Sequence, residues 1–252
     1  MKKLLAYLQL FRLPNVFTAM ADITAGYVFV RGALAPVWPF VCLVVASSLL
    51  YTAGMVLNDV FDFEQDKRER PQRPLPSGQI SRGWAAILGW QLLFWGVLAA
   101  GVAGFLATGD QAPAIPWRSG AVAVLLAGCI VAYDAYMKRT PVGPVFMGAC
   151  RFFNLLLGMS LAAGPIKPDG SLGFTGGELL VAGGIGVYIA GVTWFARTEA
   201  KQSSATQLTL ALIVMLAGVG MVASYGWLPP SPLHPHFRVL NPGIWQLLIL
   251  AL

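Results

Sequence analysis

The chain has 252 residues, 57% of them hydrophobic and 11% charged, with 17 Lys and Arg against 11 Asp and Glu. That composition excludes a soluble globular domain and a disordered, highly charged chain alike. The formal net charge of +6 is not by itself a sign of nucleic acid, because the placement of the cations accounts for it.

Apolar runs of about twenty residues recur along the chain, each long enough to cross a bilayer core of roughly 30 Å as a helix. In order, the predicted spans cover residues 16–30, 39–57, 85–107, 121–133, 142–163, 179–196 and 208–225. An eighth run begins near Ile244 and the sequence stops inside it at Leu252, so the chain is expected to be C-terminally incomplete. The first run is no secretory signal, since Arg12 and Pro14 interrupt it and many spans follow. The expected fold is all-α, a polytopic transmembrane helix bundle. With the N-terminus inside, the inner segments carry Lys2, Lys3, Arg12, Lys67, Arg68, Arg70, Arg73, Arg82, Lys138, Arg139, Arg197 and Lys201, and the outer ones only Arg31, Arg118, Lys167 and Arg238. This bias predicts a cytoplasmic N-terminus in a bacterial plasma membrane or an organelle membrane.

Cys42, Cys129 and Cys150 lie far apart within predicted spans and read as small apolar helix residues. His234 and His236 flank Pro235 in a Pro-rich outer segment with no further ligands nearby, and read as loop. The outer connectors are rich in Gly and Pro. The inner ones hold the charge. "YTAGMVLNDVFD" (51–62) aligns without gaps to "YIAGVTWFARTE" (188–199), each at the inner end of a span. The offset of four helices predicts one domain over 1–252 made of two parallel repeats, about 1–140 and 141–252.

The segment "NDVFDFEQDKRERPQRPLPSG" (58–78) holds five of the eleven acidic residues: Asp59, Asp62, Glu64, Asp66 and Glu69. Asn58, Asp62 and Asp66 follow at i, i+4 and i+8 and share a slowly drifting helix face. Such oxygen donors suit Mg²⁺, an ion usually held by one or two carboxylates together with substrate phosphates. Lys67, Arg68, Arg70 and Arg73 follow within a turn or two, and guanidinium groups bind phosphate oxygens in bidentate fashion. A metal-bound diphosphate between carboxylates and arginines accounts for both. The plainer alternative is a solvated, salt-bridged loop, which leaves the stripe and the rigid "RPLPSG" unexplained.

The Asn-Asp-X-X-Asp-X-X-X-Asp form of "NDVFDFEQD", with "RPQRPLPSG" after it, resembles the first signature of the UbiA superfamily of intramembrane prenyltransferases. Its spacing is similar to the branch with chlorophyll synthase and the archaeal geranylgeranylglyceryl phosphate prenyltransferases. "LPNVFTAMADITAGY" resembles the first helix of that family, and "YDAYMKRTPVGPVFMGACRFFNLLLG" its fourth-to-fifth helix region. The resemblance implies nine transmembrane helices, seven to eight of them present here, around a central cavity open near the cytoplasmic face. It implies that Asn58, Asp62 and Asp66 hold Mg²⁺, that Arg70, Arg73 and Lys138 hold diphosphate, and that Asp62, Asp66 and Lys138 form the catalytic set.

Where the family carries a second Asp-rich motif, this sequence reads "FARTEAKQSS". The repeat alignment sets Phe195 against Asn58, Glu199 against Asp62 and Ser203 against Asp66, so one carboxylate, Glu199, remains as a metal ligand. Arg197 and Lys201 stand beside it as fixed cations able to clamp a leaving phosphate. This depletion resembles the EboC-like subgroup. Asp22, Arg151 and Asn154 fall inside predicted spans, where polar groups are costly and usually line a cavity. Arg151 and Asn154 share a helix face and either orient an acceptor head group or form a buried structural pair with Asp22. Tyr133, Tyr136, Phe152, Phe153, Trp194 and Phe195 offer π faces to an allylic cation, although aromatics also gather at membrane interfaces.

Two functions are therefore carried forward. One is a Mg²⁺-dependent prenyltransferase that moves an isoprenoid from a prenyl diphosphate to an aromatic or other hydrophobic acceptor in the bilayer. The other is a non-catalytic relative that binds or transports a hydrophobic precursor. No nucleic acid partner is expected, and protein partners stay open.

Overall fold

Nine helices organise the described residues of the computed structural model, which are all but 1, 107, 109–111, 114, 163–171, 200–203 and 228–252. They are α1 (Lys2–Phe11), α2 (Leu13–Arg31), α3 (Val37–Phe61), α4 (Phe63–Glu69), α5 (Arg82–Leu106), α6 (Arg118–Ala135), α7 (Gly143–Met159), α8 (Gly176–Glu199) and α9 (Ala205–Ser224). No strand occurs among the described residues. Six helices are long and apolar enough to span a membrane, and α7, at 17 residues, is the shorter seventh. Each predicted span from 16–30 to 208–225 thus coincides with a helix. The eighth run and His234 and His236 lie outside the described residues.

The apolar side chains divide between two environments. Leu43, Leu50 and Leu57, spaced by seven along α3, are essentially inaccessible and centre the bundle between α2, α5, α6 and α7. Trp90, Phe94, Leu98, Val102 and Phe105 of α5 and Leu212, Ile213 and Leu216 of α9 are exposed. On a soluble protein, faces that apolar would drive association. On this multi-pass membrane protein they face lipid.

Two elements escaped the hydropathy reading because they are too short to span. Helix α1 is amphipathic: Ala6 and Leu10 are buried against Val56, Val60, Leu75, Ile80 and Ala85, while Leu4 and Leu5 are exposed. Trp84 Nε1 donates to Tyr7 Oη at 3.0 Å and fixes α1 to the start of α5. Arg12, in left-handed conformation at φ 47°, and Pro14 in the first turn of α2 separate α1 from α2. Helix α4 continues α3 past a break at Asp62.

Helices α2 and α7 cross at two glycines. A Cβ on Gly26 would stand 2.5 Å from the Leu155 carbonyl oxygen, and one on Gly158 would stand 2.6 Å from that of Ile23. With no hydrophobic drive between helices in lipid, close backbone approach through small residues supplies the packing. This crossing sets Asp22 of α2 opposite Arg151 and Asn154 of α7. Gly158→Val forces the helices apart and is expected to cost about 1–3 kcal/mol, read as a lower unfolding temperature of the detergent-solubilised protein.

Candidate active site

The C-terminal ends of α3 and α6, the α1–α2 junction and the α4–α5 loop bring together two charged clusters at the mouth of a cavity of about 230 Å³. In the first cluster Lys138 Nζ donates to Asn58 Oδ1 at 2.8 Å and to Asp62 Oδ2 at 2.7 Å. Arg139 Nη2 donates to Asp62 Oδ1 at 3.0 Å. A 3₁₀ turn, Met137–Arg139, ends α6 and turns both cations towards α3.

The second cluster is built on a spacing of seven. Asp59, Asp66 and Arg73 follow at that interval, and Arg73 Nη1 donates to Asp66 Oδ2 at 2.6 Å and to Asp59 Oδ1 at 3.5 Å. Arg12 Nη2 reaches the same Asp59 oxygen at 2.9 Å. Arg70 stands 4.0 Å from Asp66 and is largely exposed. Asp59 and Asp66 are buried, so these pairs are shielded from solvent on the acidic side.

The stripe expected from the sequence therefore divides. The backbone ladder is kept through the break, with amides of Asp62, Asp66 and Arg70 each donating four residues back at 2.8–2.9 Å. At about 100° per residue, however, Asp66 is rotated roughly 80° from Asn58, close to the direction of Asp59 at roughly 100°. Asn58 and Asp62 share Lys138, whereas Asp66 serves Arg73.

Deeper in the cavity, Arg151 Nη2 and Asn154 Nδ2 each donate to Asp22 at 3.0 Å, Asn154 Nδ2 also reaches the Ala19 carbonyl at 3.1 Å, and Ser47 Oγ donates to Asn154 Oδ1 at 2.7 Å. The Asp22–Arg151 pair is thus present, and Arg151 and Asn154 line the cavity as well. Arg197 does not line it: its Nη1 donates to the Thr140 carbonyl at 3.0 Å, across the turn into α7. The side chains of Glu199, Lys201 and Ser203 lie outside the described residues. Of the aromatic candidates, Tyr133 lines the cavity, Tyr136 is 73% exposed, and Phe152 and Phe153 pack edge to face against the core.

The sequence reading passed over Arg12, Asp59 and Asp134. Asp59 carries a signal in its seven-residue spacing to Asp66 and Arg73. Asp134 precedes Lys138 by four residues and lies in the last turn of α6, just before the 3₁₀ turn that carries Lys138. It is 4% exposed and lines the cavity.

The donor set of the first cluster fits a hard divalent ion. Asn58 Oδ1 and Asp62 Oδ2 already converge on one positive charge, the Lys138 ammonium. Among the described residues no three His, Cys, Asp or Glu side chains gather, so any remaining ligands would come from water and substrate oxygens.

The fold and site together define an apolar helical bundle whose internal cavity lies beside clustered carboxylates and basic side chains. The UbiA prenyltransferase family profile matches residues 19–237, and the chain belongs to that family. Among curated proteins it is 31% identical over 137 residues to the digeranylgeranylglyceryl phosphate synthase of Methanoculleus marisnigri, covering 54% of this chain and 44% of that one. The corresponding synthase of Sulfolobus acidocaldarius is 41% identical over 80 residues, 30% of this chain and 27% of that one. These matches span less than half the length of either relative. Among solved structures, a UbiA homolog from Archaeoglobus fulgidus bound to DMAPP and Mg²⁺ superposes with a TM-score of 0.67 at 12% identity, over 97% of this chain and 84% of that one. A digeranylgeranylglyceryl phosphate synthase gives the same TM-score at 22% identity, over 90% and 78%.

Asp59→Asn leaves Arg12 and Arg73 without their shared counter-ion. Breaking a buried pair costs about 3–5 kcal/mol. Because Arg12 and Arg73 are 33% and 25% exposed, water screens part of that loss, and about 1–3 kcal/mol is expected, measured by thermal unfolding.

Proposed function

We propose that this protein transfers a prenyl group from a prenyl diphosphate to a hydrophobic acceptor inside the membrane, with Mg²⁺ as cofactor. The observation that carries the reading is the convergence of Asn58, Asp62 and Lys138 at the mouth of a largely apolar cavity. An isoprenoid diphosphate has the matching form, a polyanion joined to an apolar chain. Bound Mg²⁺ would neutralise charge on the leaving diphosphate.

The chain's own residues supply the rest. Asn58 and Asp62 would hold the metal, and Lys138 beside them would supply a cation to a phosphate oxygen. Arg139 and Arg70 are exposed and within reach of the same anion. Asp59 and Asp66 hold Arg73 and Arg12 beside the mouth. The cavity wall of Leu126, Ile130, Met55 and Met147 receives the isoprenoid and keeps water from the reacting carbon. The excess of Lys and Arg at this end supports a cytoplasmic mouth and N-terminus in the cell's plasma membrane or an organelle membrane. The relation of 1–140 to 141–252 as parallel repeats remains part of this proposal, resting on the Tyr-X-Ala-Gly alignment.

One observation favours a second reading, binding or transport of a hydrophobic precursor without ionising it. Phe195 stands where the repeat alignment sets the counterpart of Asn58, and Arg197 is held by Thr140 away from the cavity.

The two readings separate by experiment. Purified protein offered geranylgeranyl diphosphate and Mg²⁺ is expected to release diphosphate when an acceptor is present. Binding without release supports the carrier instead. Asp62→Ala is expected to abolish Mg²⁺-dependent binding of geranylgeranyl diphosphate in calorimetry, and unchanged affinity returns the acidic segment to a solvated loop. Lys138→Met should act in opposite directions on the two ligands. Mg²⁺ alone binds more tightly, because the competing ammonium is gone. The diphosphate binds at least about tenfold more weakly for want of a charge-assisted hydrogen bond.

A further inference from the structure

Asp134 has a carboxyl group that nothing described so far uses. It is 4% exposed, lines the cavity, and among the described residues makes no side-chain hydrogen bond and no ion pair. The other charged groups on the cavity wall are satisfied: Arg12 by Asp59 and Arg151 by Asp22. The charges around Asp134 are Lys138 in the 3₁₀ turn after α6, Asp59 on α3, Asp62 at the end of α3, and Arg12 at the α1–α2 junction. Each of these neighbours has a nearer partner. A carboxyl group on a cavity wall with no protein partner among the described residues is free to meet whatever enters the cavity, and ionisable groups inside a membrane span usually mark a working site.

Its position is specific. Gly54 lies one turn of α3 deeper than Asn58, about 6 Å along the helix, and both line the cavity. Asp134 Oδ2 is 3.8 Å from where a Cβ on Gly54 would be. The carboxylate therefore stands against the bare backbone of Gly54, one helical turn beyond the anchor formed by Asn58, Asp62 and Lys138. A diphosphate held at that anchor with its chain directed inward places its ester carbon, C1, at this depth.

We propose that Asp134 is the acceptor-binding residue and general base, and that the acceptor it selects is a lipophilic alcohol with no negative charge near the reacting hydroxyl. This rests on the prenyl-transfer reading above. The hydroxyl donates a hydrogen bond to the Asp134 carboxylate. The C1–O bond to diphosphate breaks and its electron pair leaves with the diphosphate. The acceptor oxygen uses a lone pair to form the new C1–O bond, and its proton passes to Asp134, which becomes a neutral carboxylic acid and later returns the proton to water. The same negative charge faces the allylic cation as it develops. A phosphate beside the reacting hydroxyl would instead meet an unpaired carboxylate in a low-dielectric cavity, a repulsion that selects against it.

The test uses the full chain in lipid nanodiscs with geranylgeranyl diphosphate and Mg²⁺. The acceptors are 1-O-octadecylglycerol and, separately, its 3-phosphate. Transfer to the neutral alcohol is expected to exceed transfer to the phosphate. Asp134→Asn is expected to lower transfer by about a hundredfold or more while Mg²⁺-dependent binding of the diphosphate persists. Asp134→Ala is expected to lose transfer and recover part of it with added formate, which replaces the missing carboxylate. A merely structural aspartate gives no such rescue. Because the charge is unpartnered, Asp134→Asn is also expected to unfold at no lower temperature than the wild type. Wild-type rates in Asp134→Asn, no recovery with formate, a lowered unfolding temperature in both variants, or preference for the phosphate acceptor overturns the assignment. So does failure of the wild type to use either acceptor while it binds the diphosphate. Absence of Mg²⁺-dependent diphosphate binding by the wild type overturns the prenyl-transfer reading itself.

Discussion

Asp59 sits between two arginines that reach it from opposite directions in the sequence, Arg12 from the α1–α2 junction at 2.9 Å and Arg73 from the α4–α5 loop at 3.5 Å. Burial raises the cost of that charge, and the two arginines offset it. The consequences spread outwards. Arg12 is held at a left-handed backbone position that a side-chain-bearing residue seldom adopts, and this turn lets α1 fold back along the inner end of α3. Arg73, held by Asp59 and Asp66, fixes the path of the loop into α5. With both flanks fixed, Asn58 and Asp62 are left facing α6 and Lys138.

This division of labour explains why so many charges crowd one rim without repelling one another. Asp59 and Asp66 pair with Arg12 and Arg73, Asn58 and Asp62 meet Lys138 and Arg139, and the two pairs face different sides of the same helical path. A single helix turning 100° per residue separates them with no insertion or domain boundary. The family's compact acidic signature is in this chain two interleaved patterns, one with period four and one with period seven.

The sequence made the spans legible because bilayer thickness imposes a length that hydropathy detects. It could not display α1 or α4, which are too short to span and owe their helicity to packing on α3 and the adjoining loop. Asp66 pairs with Arg73 while Asn58 and Asp62 share Lys138 for a geometric reason: an i, i+4, i+8 stripe drifts by roughly 80° over its length, enough to change partners. Asp22 and Arg151 illustrate the opposite limit. Their polarity inside spans marked them as paired or functional, but only the Gly26–Gly158 crossing brings α2 and α7 close enough to pair them. Asp134 was in plain view four residues before Lys138, yet its meaning comes from what it lacks, and a missing partner is visible only in three dimensions.

The charge arrangement also bears on how a hydrophobic cavity stays selective. Each arginine on its wall is matched by an acid, so the interior has little net pull on an arbitrary anion, and attraction is confined to the rim where Lys138 and Arg139 meet Asp62. On the proposed reading, a ligand with a negative head is held at the mouth, while its apolar part enters a space whose remaining polarity is one carboxyl group and a few neutral groups. Head and tail are sorted by the same gradient. On the same reading, pairing Arg12 with Asp59 and Arg151 with Asp22 lessens the pull of the deeper cavity on a second anionic head group.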